Sequence, residues 1–406
     1  MSEWKELSSI TSKIGSGLTP RGGNSVYTDN GISLIRSQNV LDMDFSTENL
    51  AYIDEVQAEK LKNVIVEKND ILLNITGDSI ARCTIVPEEI LPARVNQHVS
   101  IIRCKNTEQS KYVMYYLQYI KKYLLQISKV GGTRNALTKE AISKLPIKIS
   151  EDWNRISTIL DNIDRKIKIN NQINLELEAM AKILYDYWFV QFDFPDQNGK
   201  PYKSSGGKMV YNPKLKREIP EGWRVSNLFV VAEVQYGYPF STDYFNSTGE
   251  GVPVIRIRDI LENDITNYST EEVEDKYKIN VGDVLIGMDG NFHMNYWIKE
   301  DCYLNQRVVK VNSDKLPNMV LKYQIEPFIK LREKSVSRTT VGHLSDKDLK
   351  AINVILPKEK YLSPILEKFE SILKNIIINQ QQNQELTQLR DWLLPMLMNG
   401  QVKVER

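Results

Sequence analysis

The sequence predicts a mixed α/β protein of two tandem globular domains, each followed by a long helix. The two helices are expected to pair as an antiparallel coiled coil with pseudo-twofold symmetry. Three observations predict this. Blocks of sequence recur in the same order at a period of a little over two hundred residues. Each copy alternates short β-type runs with helical stretches. Each copy is then followed by a heptad pattern whose apolar stripe has no local partner.

The repeat is direct. Gly31-Ile32-Ser33-Leu34-Ile35-Arg36 returns as Gly251-Val252-Pro253-Val254-Ile255-Arg256, and Asn69-Asp70-Ile71-Leu72 as Gly282-Asp283-Val284-Leu285. Asn96-Gln97-His98-Val99 returns as Asn305-Gln306-Arg307-Val308, and Leu137-Thr138 as Leu344-Ser345. The offset falls from 220 at Gly31/Gly251 to 207 at Leu137/Leu344, so the second copy is 13 residues shorter, with the losses between matched strands. A kept scaffold with altered loops is how one fold comes to recognise two different things.

The elements follow in order. The first domain, 1–150, opens on Trp4 and Leu7, and the second, 223–357, on Trp223 and Leu228. In the first, 32–35, 71–75 and 99–103 read as strands and 111–127 as a helix. The central helix, 151–192, carries one seam of Ile156, Ile163, Asn170, Leu177 and Leu184, with companions Ile159, Lys166, Ile173, Met180 and Tyr187. The C-terminal helix, 358–399, shows Ile365, Phe369, Ile372, Ile376, Asn379, Asn383, Leu386 and Leu393, before a tail at 400–406. Each helix would be roughly 50–60 Å long. Two helices exchanged by a perpendicular dyad run antiparallel. Asn170 and Asn379, at matching places, are the candidates for fixing the register. The segment 193–222, rich in Gly, Pro and Lys, reads as a connector or irregular hairpin.

Composition is ordinary, 41% hydrophobic and 26% charged, with no run long enough to span a bilayer and no secretion signal at the N-terminus. Three scattered cysteines, Cys83, Cys104 and Cys302, point to a reduced, cytoplasmic, disulfide-free chain. The net charge of +1 hides a polarity. Residues 111–148 hold eight basic groups against Glu140 alone, and 322–350 seven against four acids. Residues 42–59 have six acids and no base, and 259–275 seven and none. One basic and one acidic side per domain is the expectation, and a pseudo-dyad with basic faces suits duplex DNA.

No catalytic machinery accompanies this. Asn212-Pro213-Lys214 lacks the second proline and aromatic of an amino-methylating site, and Gly15-Ser16-Gly17 runs into Leu18-Thr19-Pro20 without forming a dinucleotide loop. There is no Walker-type loop, the histidines and cysteines have no metal-ligand spacing, and Pro195-Asp196 has no Glu-x-Lys to complete a nuclease cluster. The expected catalytic and metal residues are therefore none.

The remaining polar groups suit base and phosphate recognition, because Arg, Asn, Gln and Asp reach base edges. In the first copy the candidates are Arg21 and Asn24; Arg36, Gln38 and Asn39; Asp78 and Arg82; and Lys129, Thr133, Arg134 and Asn135. Lys121, Lys122 and Lys129 are expected on phosphates. In the second they are Tyr236 and Tyr238; Arg256 and Arg258; Asp289, Asn291, His293 and Asn295; Arg307; and Arg338, Thr339, Thr340 and His343. Asp70 and Asp283, in turns before strands, read as structural. The shared Asn96-Gln97 and Asn305-Gln306 read as scaffold, and the divergent stretches 129–135 and 336–342 as the seats of specificity.

These paired blocks, in this order, with Ile173-Asn174-Leu175-Glu176-Leu177-Glu178-Ala179-Met180 and Phe192-Asp193-Phe194-Pro195 closing the first helix, resemble the specificity (S) subunit of type I restriction-modification enzymes. The resemblance covers essentially the whole chain. It implies a non-catalytic subunit with two target recognition domains, each reading one half of a split, asymmetric duplex DNA target, held apart by helices that set the spacer and dock methyltransferases. Two methyltransferase and two restriction subunits are the implied partners. S-adenosylmethionine, ATP and Mg are expected on those partners and no cofactor on this chain. A fused modification enzyme would need a methyltransferase half that is absent here, and a DNA mimic would need acidic late halves. The second reading is an orphan or structural coiled-coil DNA-binding protein without working restriction partners.

Overall fold

The computed structural model describes residues 3–129, 135–336 and 342–402. The chain forms two compact units that cut across the long helices: Met1–Ile167 with Glu385–Arg406, and Lys168–Gln384.

At the heart of the first unit, strand Ile71–Asn74 is buried on both faces. Its two-residue alternation sends Ile71 and Leu73 into one apolar cluster and Leu72 into another. Val99–Cys104 pairs antiparallel with it, Ile71 opposite Ile102 and Leu72 opposite Ile101, and divides the same way. The antiparallel sheet runs in the order Thr11–Ser16, Val99–Cys104, Ile71–Asn74, Cys83–Ile85. One cluster fills the space towards helix Ser110–Tyr119 and, after a break at Ile120, helix Lys121–Ile127. The other lies under a second sheet, ordered Ala51–Ile53, Ile32–Ile35, Ala93–Val95, Ile65–Val66, whose middle pair is parallel.

The second unit repeats this plan. Its first sheet is ordered Glu233–Tyr236, Val308–Asn312, Val284–Gly287, Met294–Tyr296. Val284 and Ile286 enter one cluster and Leu285 the other. Val252–Ile255 runs parallel to Cys302–Leu304 in the second sheet, as its counterpart does in the first unit. The turns before the two central strands differ. Asp70 accepts from the Glu67 amide at 2.7 Å and is clamped by Arg103 through two bonds of 2.8 Å. Asp283 accepts from the Asn280 amide at 2.7 Å, but Asn312 follows Val311 where Arg103 follows Ile102. Without that guanidinium, burial pushes the Asp283 carboxyl up to about 6.

The first long helix spans Trp153–Tyr185 and continues as a π turn over Asp186–Val190; the C-terminal helix spans Glu359–Asn399. Each runs antiparallel to the other within each unit. In the first unit Ile156 and Leu160 share a core with Leu394, Leu397 and Met398, and Asp164 accepts from Arg390 at 2.8 Å and from the Tyr115 hydroxyl at 2.5 Å. In the second, Asn170 donates to Gln382 at 2.8 Å and Asn383 at 2.9 Å, and Asn379 donates to Asn174 at 2.9 Å. The register thus rests on two rungs: Asn170 pairs with Asn383 and Asn379 with Asn174. The companion seam is also different from the one expected. Leu160, Asn174, Ala181 and Trp188 are the buried partners of the Ile156 row, four residues on rather than three. Ile173, Met180 and Tyr187 are exposed by 40%, 59% and 39%. Asn174 and Ala181 carry little apolar signal, which is why the outer stripe looked like the inner one.

The 193–222 segment belongs to the core of the second unit. Ser204 closes a loop onto Asp193 through its amide at 2.7 Å and its hydroxyl at 2.5 Å. Phe194 stacks on Tyr202 at 4.8 Å and Trp223 at 4.9 Å. A hairpin pairs Met209–Asn212 with Arg217–Pro220. Among the described residues no helix is long and apolar enough to cross a membrane.

Candidate nucleic-acid interface

In each unit a single tight turn gathers the polar loops. In the first it is Asn96-Gln97-His98. The Asn96 amide donates to Ile35 O at 3.0 Å, bringing in the loop of Arg36 to Asn39. Leu18 donates to Val95 O at 3.1 Å, bringing in the loop of Arg21 and Asn24. Ile75 donates to His98 O at 3.0 Å and Leu137 to Ile75 O at 2.9 Å, so the Asp78 and Asn135 segments arrive from the other side. In the second unit, around Asn305-Gln306-Arg307, the same bonds recur: Asn305 to Ile255 O at 3.1 Å, Tyr238 to Leu304 O at 2.9 Å, Met288 to Arg307 O at 2.9 Å and Leu344 to Met288 O at 2.7 Å. The close approach depends on glycine. A Cβ at Gly17 would lie 2.0 Å from Val95 O, and one at Gly237 would lie 1.9 Å from Asn305 O. Asn96 and Asn305 are scaffold, since each Oδ1 caps its own turn, accepting from His98 N at 3.0 Å and Gln306 N at 2.8 Å.

Several sequence candidates spend hydrogen-bonding groups on holding their own loops. Asn39 is fully buried; its amide donates to Ser46 O at 3.0 Å and Glu48 O at 3.2 Å, and its Oδ1 accepts from Arg36 N at 3.1 Å. Asp259, 220 residues on, locks Arg256 N the same way at 2.9 Å. The guanidinium of Arg36 bonds to Asn49 O, and that of Arg256 to Thr266 Oγ1 at 2.8 Å, so both clip their own loops. Asn295 donates to Ile260 O at 3.2 Å and Leu261 O at 3.0 Å. The hydroxyls of Tyr236 and Tyr238 are spent on Asp346 at 2.7 Å and Glu271 at 2.9 Å, and those acceptors hold both phenols above their ordinary pKa, with burial the larger cause for Tyr236.

The others face outward. Arg21, Asn24, Gln38, Asp78, Lys129 and Asn135 are exposed in the first unit, with Arg82 half-buried. Arg258, Asn291, Arg307 and His343 are exposed in the second, with Asp289 and His293 half-buried. Thr133, Arg134, Arg338, Thr339 and Thr340 lie outside the described residues. Lys129 and Asn135 border 130–134, and His343 follows 337–341. Thr76 and His98 were not among the sequence candidates, although the third residue of a turn otherwise shared as Asn-Gln-x-Val was a usable signal.

The charge polarity is partly cancelled within the fold. Lys121 pairs with Asp42 at 2.6 Å, Lys111 with Asp161 at 2.6 Å, and Lys144 with Glu140 at 2.7 Å. Of the three lysines expected on phosphates, Lys122 and Lys129 are exposed and Lys121 is committed to Asp42. The three thiols are buried and unpaired. Burial pushes Cys83 up to about 12 and Cys104 and Cys302 up to about 11, far from nucleophilic thiolates. Among the described residues no His, Cys, Asp and Glu group is placed to hold a metal ion.

Comparison with known proteins bears on these surfaces. The Type I restriction modification DNA specificity domain matches residues 6–179 and again 220–388. The chain is similar to the type I restriction enzyme EcoBI specificity subunit of Escherichia coli, 29% identical over 173 residues, 42% of this chain and 36% of that protein. It is also similar to the MjaIX specificity subunit of Methanocaldococcus jannaschii, 28% identical over 338 residues, 77% of this chain and 74% of the relative. Its fold resembles the crystal structure of a type I restriction-modification system S subunit from M. genitalium, with TM-score 0.58 and 13% identity, covering 98% of this chain and 96% of that one.

Proposed function

Because the chain belongs to the type I restriction modification DNA specificity family, and is therefore a non-catalytic subunit that selects a DNA target, we propose that its two units read the two halves of one bipartite, asymmetric duplex site. The observation that carries this is the duplicated hub: the same turn, glycine approach and loop clips recur in both units, while the outward side chains differ. One scaffold with two sets of readers gives two dissimilar half-sites. Half-sites on one face of the duplex are separated by about one turn, roughly 34–36 Å.

The long helices set the unspecified spacer in this reading. The exposed stripe on the first of them, with Met180 at 59% and Ile183 at 70%, is the docking surface for methyltransferase subunits. The complex carries two of these and two restriction subunits, with S-adenosylmethionine, ATP and Mg on those partners, and works in the cytoplasm on cellular DNA. The test is a map of N6-methyladenine in DNA from cells that express this chain with a type I methyltransferase subunit. A single split motif with two unlike halves is expected. An assembled complex that methylates nothing would leave an orphan DNA-binding protein as the better account.

A further inference from the structure

The hub turns of the two units, Asn96-Gln97-His98-Val99 and Asn305-Gln306-Arg307-Val308, differ only at their third residue. In each unit that side chain is met by the same neighbour. Thr76 Oγ1 lies 2.5 Å from His98 Nδ1, and Asp289 Oδ2 lies 3.4 Å from Arg307 Nε. Thr76 and Asp289 occupy equivalent places, because each bridges to the segment that returns past the hub, Thr76 to Ala136 and Asp289 to His343. His343 Nδ1 adds a second contact to the Asp289 carboxylate at 2.6 Å.

Asp289 engages the Nε edge of the guanidinium. The remaining edge of Arg307 is a parallel pair of N–H donors on a side chain 55% exposed. Arg307 is held at φ 83°, a conformation costly for any residue but glycine and one that is retained where function needs it. Beside it opens a cleft of about 340 Å³ lined by Arg256, Arg258 and Arg307. The first unit carries Arg36, Gln38 and His98 at the equivalent places, one arginine where the second has three.

We propose that this position is where the two units read different bases. Arg307, steadied by Asp289, donates to O6 and N7 of a guanine in the half-site of the second unit, the base edge that offers two acceptors at that spacing in the major groove. His98, steadied by Thr76 at Nδ1, exchanges the 3.3 Å contact of its Nε2 with the exposed Gln97 amide for one hydrogen bond to a purine in the half-site of the first. This rests on the DNA-selecting role above and assigns its chemistry.

The experiment uses the full chain in complex with the methyltransferase subunit, as wild type and as Arg307→Ala, Arg307→Lys and His98→Ala. Each guanine of the second half-site is replaced in turn by 7-deazaguanine in the binding duplex. Wild type is expected to lose about fivefold or more at one guanine, and Arg307→Ala to be indifferent to that replacement. In methylation maps both Arg307 variants should relax that base alone, and His98→Ala one base of the opposite half. The lysine variant keeps a cation, and so decides the matter if the alanine variant fails to assemble. An Arg307→Ala complex that weakens alike on every sequence, marking a phosphate contact, overturns the assignment. So does a split motif insensitive to 7-deazaguanine. A wild-type complex with no split motif overturns the DNA-selecting role itself, and this assignment with it.

Discussion

Asp283 shows how one missing partner changes a duplicated turn. Its carboxyl is raised to about 6, above the ordinary 3.8, so folding favours the protonated form. The contribution is fully present below about pH 4 and is lost as pH rises through about 6, a difference on the order of 1–3 kcal/mol. Asp283→Asn should therefore be more stable than wild type in urea at pH 8, with the gap closing by pH 4; a gap that does not depend on pH would mean the carboxylate is compensated. Asn39 makes a second case. Asn39→Ala strands a buried amide and two carbonyls and should cost about 2–3 kcal/mol while leaving both half-sites unchanged in a methylation map. A polar residue just past a strand end looks the same in sequence whether it clips a loop or reads a base. The side-chain amides of Asn39 and Asn295 are both committed to backbone carbonyls.

At the scale of elements, the strand runs at 32–35, 71–75 and 99–103 and the long helices were legible, because short apolar runs and heptads are patterns of sequence. The register was less so. Only the contacts distinguish a seam at +4 from one at +3 when the true one contains Asn174 and Ala181, and only the contacts show that Asn170 pairs with Asn383 and Asn379 with Asn174. The rungs also dictate how a ruler can be lengthened. Seven residues inserted after Gln172 and seven after Gln381 keep both rungs paired, and should lengthen the spacer by about three base pairs at ~1.5 Å per residue, with both half-sites kept. An unchanged spacer would remove the helices from that role. Ile183→Asp changes a side chain 70% exposed and should leave stability within about 0.5 kcal/mol. It should weaken methyltransferase binding roughly tenfold or more by titration, as loss of an apolar anchor does.

At the scale of the molecule, the first unit is finished by the last part of the chain. Deleting everything after Gln384 removes Leu394, Leu397 and Met398 from its core and strips Arg390 from the half-buried Asp164. Each large core truncation costs about 2–5 kcal/mol against a total of about 5–15. The truncated chain should lose the first unit's unfolding transition while the second unit's persists, as calorimetry and limited proteolysis would show. The same closure orders events at the ribosome. Residues up to Ile167 emerge first, yet they wait for the whole of Lys168–Gln384 to be translated before their missing helix exists. At about 5–20 residues per second that is roughly ten to forty seconds. The half born first is therefore the half that folds last, and for that interval its apolar surface stays exposed.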